Sequence, residues 1–122
     1  MTETARTLLV VFRHTPYSGS LCKAGHDLAL AAAAFEQAIS VLLMDDGVWQ
    51  LLRGQDGTSI DAKTSSRSLA AFPLYGIETF FVDAQSLLER DLSKEQLEGN
   101  TQLLEPGQLA DFMDSFDQVI SF

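Results

Sequence analysis

Two adjacent carboxylates close an apolar run in "LLMDDGVWQLLRGQ": Asp45 and Asp46 follow Leu42 to Met44, and Gly47, Trp49 and Arg53 come next. Paired carboxylates at the end of a strand are one way to hold Mg²⁺ for phosphoryl transfer. Successive side chains of an extended chain point opposite ways, so that reading requires the turn to bring one carboxylate round. Asp before Gly is also ordinary turn chemistry, with Asp accepting from nearby backbone N–H groups and Gly supplying a positive φ. Asp46 is placed to cap a short helix that follows. The turn-and-cap assignment is preferred. Trp49, the single tryptophan, has two readings. With Val48, Leu51 and Leu52 turned toward the core, Trp49 and Gln50 stand near the rim, and tryptophan there is a favoured partner contact. Alternatively, it is a core residue with its N–H satisfied.

A second group of candidates lies in "RHTPYSGS" (13–20) and just beyond it. Cys22 stands where this loop meets a helix, and a helix N-terminus lowers a thiol pKa. Lys23 and His26 are close enough in sequence to add to that effect, which would suit a persulfide carrier or a thiol nucleophile. The competing assignment is a packed, inert cysteine. Thr15, Ser18 and Ser20 resemble the Ser/Thr/Gly loop with which flavodoxin-like proteins bind phosphate at this point of the fold. Arg13 and His14 are equally suited to contact a partner. No G-x-G-x-x-G, Walker or G-x-S-x-G pattern occurs. Neither histidine has a second ligand at metal spacing, so no metal site is expected.

The bulk numbers limit what these residues can serve. The 122 residues suit one domain, 1–122, with a real core. A net charge of −9, with only eight scattered basic residues, opposes direct binding to a nucleic-acid backbone. Proteins or small molecules are the expected partners. One cysteine precludes an intrachain disulfide. The start of the chain has too short an apolar run for a secretory signal, and no stretch approaches a membrane span. A cytoplasmic location is expected.

The elements that must position these residues follow from periodicity. "TLLVVF" (Thr7 to Phe12) and "AISVLLM" (Ala38 to Met44) read as strands buried on both faces. Between them a helix is expected from about Leu21 to Gln37, with Leu21, Ala24, Leu28, Ala31 and Phe35 at helical spacing. Its "LALAAAAF" segment is apolar nearly all round, so it needs cover on a second side, which another subunit would supply. "GVWQLL" suggests a short helix and "GQDGTSIDAKTSS" a polar loop. Ser66 to Leu74 reads as helical, with Leu69 and Phe72 inward and Gly76 just past its end. "IETFFVD", "TQLLE" and "QVISF" complete five strands, with a short helix at "AQSLLERDL". A further helix has Pro106 in its first turn and Leu109, Phe112, Met113 and Phe116 on one face. Strands alternating with helices predict a parallel α/β sheet with helices on both faces, in a flavodoxin-like arrangement. Sites then belong beyond the carboxyl ends of the strands: after Phe12, after Met44, at Asp83 and after the last strand.

Four segments in this order and spacing resemble the TusC/DsrF sulfur-relay subunits: "LLVVFRHTPYSGS", "AGHDLALAAAAFEQAISVLLMDDGVWQLLRGQ", "FPLYGIETFFVDAQSLLERDL" and the last helix with "QVISF". The most specific piece is "DDGVWQLLRGQ". The resemblance implies a DsrE/F-like fold. It also implies assembly with B-type (DsrH-like) and D-type (DsrE-like) paralogues as a dimer of heterotrimers that passes persulfide sulfur between carrier proteins. In most members the sulfur goes to 2-thiouridine at the tRNA wobble position; in sulfur oxidisers the related complex serves dissimilatory metabolism. The catalytic cysteine implied for this relay belongs to the D-type subunit, in the turn that Asp83 occupies here, and a carboxylate cannot carry a persulfide. Asp91 stands where a glycine is common after the short helix, which implies a changed cap.

The expectation is a structural subunit of a sulfurtransferase complex, not an enzyme on its own. It would use no cofactor and make no direct contact with tRNA. Arg13, His14 and Trp49 are its candidate partner contacts. The rival readings are a sulfurtransferase working through Cys22 and a flavodoxin-like binder working through Thr15, Ser18 and Ser20.

Overall fold

A computed structural model describes residues 7–15, 20–35, 37–52 and 69–122, with the backbone alone at 20–22. Strand β1 (Thr7–Phe12) leads through helix α1 (Ser20–Ala34) to β2 (Ala38–Leu43) and a 3-10 helix at Asp45–Leu51. A second 3-10 helix (Phe72–Tyr75) precedes β3 (Phe80–Asp83) and α2 (Ala84–Glu89). Then come β4 (Thr101–Leu104), α3 (Pro106–Asp114) and β5 (Gln118–Ser121). The strands form one parallel sheet in the order β4-β3-β2-β1-β5. Flavodoxin's order is 2-1-3-4-5; here β1 lies between β2 and β5 instead, within the same parallel, doubly covered architecture.

The apolar runs that mark β1 and β2 reflect burial on both faces. Leu8, Val10 and Phe12 pack with Val41, Leu43, Ala29 of α1 and Leu87 of α2. Leu9, Val11 and Leu42 face the opposite side, where Leu109, Phe112 and Met113 of α3 cover them. Phe81 and Phe112 meet there at 4.6 Å between ring centroids. Leu69 and Phe72 are buried, as their spacing required. The polar loop and the first part of the helix expected from Ser66 fall outside the described residues.

Helix α1 is rotated relative to the stripe read from sequence, and it stops at Ala34 rather than Gln37. Gly25, His26 and Ala29 face the sheet, whereas Ala24, Ala31 and Phe35 are exposed and Leu28 is half-buried. The cause is Gly25: a Cβ there would lie 2.5 Å from the Phe12 ring, so only glycine lets the helix settle on that ring. Almost every face of α1 is apolar, so periodicity could not choose among them. The stripe left outside includes Phe35, which is 88% exposed.

Candidate functional site

The carboxyl ends of β1, β2, β3 and β5 converge on one rim. Backbone hydrogen bonds tie it together. The Arg13 N–H donates to the Phe122 carbonyl (2.7 Å), the Phe122 N–H to Val11 (2.8 Å), and the Met44 N–H to Phe12 (3.0 Å). Arg13, His14, Asp45, Asp46, Ser121 and Phe122 line an open cleft of about 390 Å³.

The two elbow carboxylates diverge. Asp45 Oδ2 accepts from Arg13 Nε at 2.8 Å. Asp46 Oδ1 accepts from Arg90 Nε (3.1 Å) and Nη2 (3.0 Å), while Arg90 Nη1 donates to the Ser86 carbonyl. Each aspartate is thus committed to its own arginine, which disfavours a shared Mg²⁺. The expected cap is not formed either: no side chain caps the 3-10 helix, and Asp46 pairs with Arg90 instead. The turn also differs in detail. Asp45, not Gly47, has the positive φ, at 51°. Gly47 is required for space, because a Cβ there would sit 1.9 Å from the Phe12 carbonyl oxygen.

Asp83 closes β3 and is 6% exposed. It accepts from Ser86 Oγ at 2.6 Å, and that hydroxyl in turn accepts from the Asp45 N–H at 2.8 Å. One hydroxyl therefore joins the ends of β2 and β3. Ser86 stands three residues into the next helix, where an i, i+3 contact with Asp83 is geometrically natural.

The 3-10 helix decides which of its side chains face out. With three residues per turn, i and i+3 lie in one row. Gly47 and Gln50 form one buried row and Val48 and Leu51 another, leaving exposed Asp46 and half-buried Trp49 and Leu52 on the outside. Trp49 thus keeps part of its surface at the rim, whereas Gln50 turns inward, contrary to the sequence reading. Its Oε1 lies 2.8 Å from His26 Nε2, and its Nε2 donates to the His14 carbonyl at 2.9 Å. His26 is packed edge-on against Phe12 and Phe72. Burial holds the imidazole below its usual 6.5, with the Gln50 hydrogen bond and the Asp27 charge opposing that shift.

Of the sequence candidates, Arg13, His14, Asp45, Asp46 and Asp83 come together at this end of the sheet. Cys22 lies in the first turn of α1. The two groups expected to favour its thiolate are engaged elsewhere: Lys23 pairs with Asp27 at 2.8 Å, and His26 is in the core. Ser18 falls outside the described residues. Among the described residues no group of three or more His, Cys, Asp or Glu is placed to hold a metal ion, and no helix is long and apolar enough to cross a membrane. Arg90, Ser86 and Gln50 were not singled out in the sequence, since the contacts Arg90–Asp46, Ser86–Asp45 and Gln50–His26 each join residues far apart along the chain.

These features define a three-layer parallel α/β domain whose charged rim is closed by paired side chains. The DsrE/DsrF-like family profile matches residues 6–122, and the chain belongs to that family. It is 35% identical to the Protein TusC homolog of Pseudomonas aeruginosa, over 96% of this chain and 98% of that one. It is 28% identical to the Intracellular sulfur oxidation protein DsrF of Allochromatium vinosum, over the full length of both. In fold it resembles the crystal structure of the ychN protein from E. coli, with a TM-score of 0.76 at 22% identity over 96% of this chain and 99% of that one.

Proposed function

We propose that this chain is a non-catalytic subunit of a cytoplasmic sulfur-relay complex that passes persulfide sulfur toward 2-thiouridine at the tRNA wobble position. The observation that carries the reading is Asp83. It occupies the turn where the resemblance implies a persulfide-bearing cysteine in the D-type sister subunit. Here that turn holds a buried carboxylate bound to Ser86 Oγ at 2.6 Å. A carboxylate offers no sulfur to form the S–S bond of a persulfide. Similarity to TusC homologues over nearly the whole chain supports the same role. The outward apolar stripe of α1 fits a chain that needs a neighbour on that side. The partners proposed are B-type and D-type paralogues in a heterohexamer, with Arg13, His14 and Trp49 as contact candidates.

A second reading, a subunit of the related dissimilatory sulfur-oxidation complex, is favoured by the full-length similarity to DsrF. Native mass spectrometry of the chain purified gently from its host tests the subunit role. Two small paralogous chains in equal amounts, with an added sulfur atom on the D-type partner, are expected. A lone chain carrying that mass on Cys22 would refute the reading. A Cys22→Ser variant that relays sulfur normally would exclude a Cys22-dependent transferase. Loss of wobble thiolation on deleting the gene, rather than loss of sulfur oxidation, would separate the two pathways.

A further inference from the structure

We propose that Gln50 is a positioning residue that sets the Arg13–His14 rim from within the core. The argument begins with the amide's orientation. Gln50 Nε2 faces the His14 carbonyl oxygen at 2.9 Å. The reverse orientation would set oxygen against oxygen, so the NH₂ group must point there and Oε1 must face His26. His26 Nε2, 2.8 Å from that oxygen, therefore carries the hydrogen and donates it. The neutral imidazole is fixed as its Nε2–H form.

One buried amide thus joins three elements. It belongs to the 3-10 helix that begins at Asp45, it accepts from a side chain of α1, and it donates to the loop after β1. The same 3-10 helix carries Asp45, which holds Arg13 at 2.8 Å. The loop is consequently held at two adjacent points, His14 by its backbone and Arg13 by its side chain, both from one short helix. His26 is 1% exposed and wedged against Phe12 and Phe72, so the anchor itself is rigid. The buried His26 donor loses its partner if the amide goes, and the half-covered His14 carbonyl loses its tie to the core, which makes the arrangement costly to rearrange. The link to assembly rests on the proposed function, in which Arg13 and His14 contact a partner; the clamp itself does not.

The test is amide hydrogen exchange on the isolated chain with two variants. Gln50→Met keeps the shape and removes both hydrogen bonds. Gln50→Glu keeps an acceptor for His26 and turns the donor facing His14 into an acceptor. In both, the amides of residues 13–15 are expected to exchange about tenfold faster, roughly the worth of one net hydrogen bond, while Leu9 to Val11 keep their rates. In Gln50→Glu alone, the His26 imidazole should become easier to protonate in an NMR titration, because a carboxylate now faces it. That titration checks the Gln50–His26 contact, and the localised change at 13–15 in Gln50→Met is what a space-filling role would not produce, since methionine fills the same space. Unchanged exchange at 13–15, or acceleration shared equally by β1, overturns the proposal. Capture of paralogous subunits by the wild-type chain is scored separately. Its absence would count against the proposed function and leave the clamp standing.

Discussion

Gly47→Ala provides the most direct check on the elbow. The new Cβ would lie 1.9 Å from the Phe12 carbonyl oxygen and 2.5 Å from its carbon. A carbon–oxygen contact needs about 3.3 Å, so the elbow must retreat from β1 by more than an ångström. The obstacle is backbone in a central strand, and no rotamer change relieves it. Retreat breaks the Met44 N–H bond to that same Phe12 oxygen, now 3.0 Å long. Stranding those groups costs about 1–3 kcal/mol. Val48 and Leu51, both buried on the same 3-10 helix, must then repack, at about 1–3 kcal/mol more. The expected loss is about 2–6 kcal/mol, a large part of the roughly 5–15 kcal/mol that holds a domain of this kind together. Urea unfolding followed by circular dichroism measures it, with the midpoint and slope analysed together. Gly107→Ala is the control: a Cβ there meets nothing within 4 Å, so it should stabilise the protein by about 0.5–1 kcal/mol. A Gly47→Ala variant that loses less than about 1 kcal/mol would refute the reasoning, since surface changes usually stay within about 0.5 kcal/mol.

Three further outcomes follow from single interactions. Asp91 has φ 55° at the end of α2, with the Asp91 N–H bonded to Leu88 and the Leu92 N–H to Leu87. This is a Schellman ending that glycine suits better, so Asp91→Gly should add about 0.5–1 kcal/mol, read as a higher Tm. Ser86→Ala removes the donor to the buried Asp83 carboxylate and the acceptor for the Asp45 N–H. It should cost about 2–3 kcal/mol in denaturant unfolding, and Ser86→Thr should retain more of the stability. His26 is held below its unfolded pKa of 6.5, so the unfolded chain binds the proton first. Its contribution is complete above pH 6.5 and is lost as pH falls from there through the folded value. Urea midpoints at pH 7.5 and 5.5 should differ in that direction, and a His26→Gln variant should show a smaller difference.

The strands were legible because burial on both faces writes a continuous apolar run. "TLLVVF" gives β1 to the residue, and "QVISF" and "TQLLE" place the edge strands. Convergence at the carboxyl ends followed from the parallel topology, which brought Arg13, Asp45 and Asp83 together before any distance was known. Two things were not legible. The rotation of α1 depends on Gly25 meeting the Phe12 ring, a contact between residues whose relative placement exists only in three dimensions. The inward turn of Gln50 depends on a 3-10 rather than an α-helical period. Over seven residues the two periods differ by too little for the apolar pattern to separate them.

The position of β5 has a consequence for the order of assembly. It lies beside β1, and Thr7 and Asp117, which hydrogen-bond across that junction, are 110 residues apart in sequence. Every other neighbouring strand pair is consecutive along the chain. Closing the longest loop costs the most chain entropy and slows the step that depends on it. During synthesis, β1 to β4 can zip in sequence while β1 keeps one open edge until the last strand arrives. Arg13 takes its backbone partner from Phe122, so the rim acquires its final shape in that same late step. A nascent chain would therefore withhold its charged face from other proteins until its own sheet was closed.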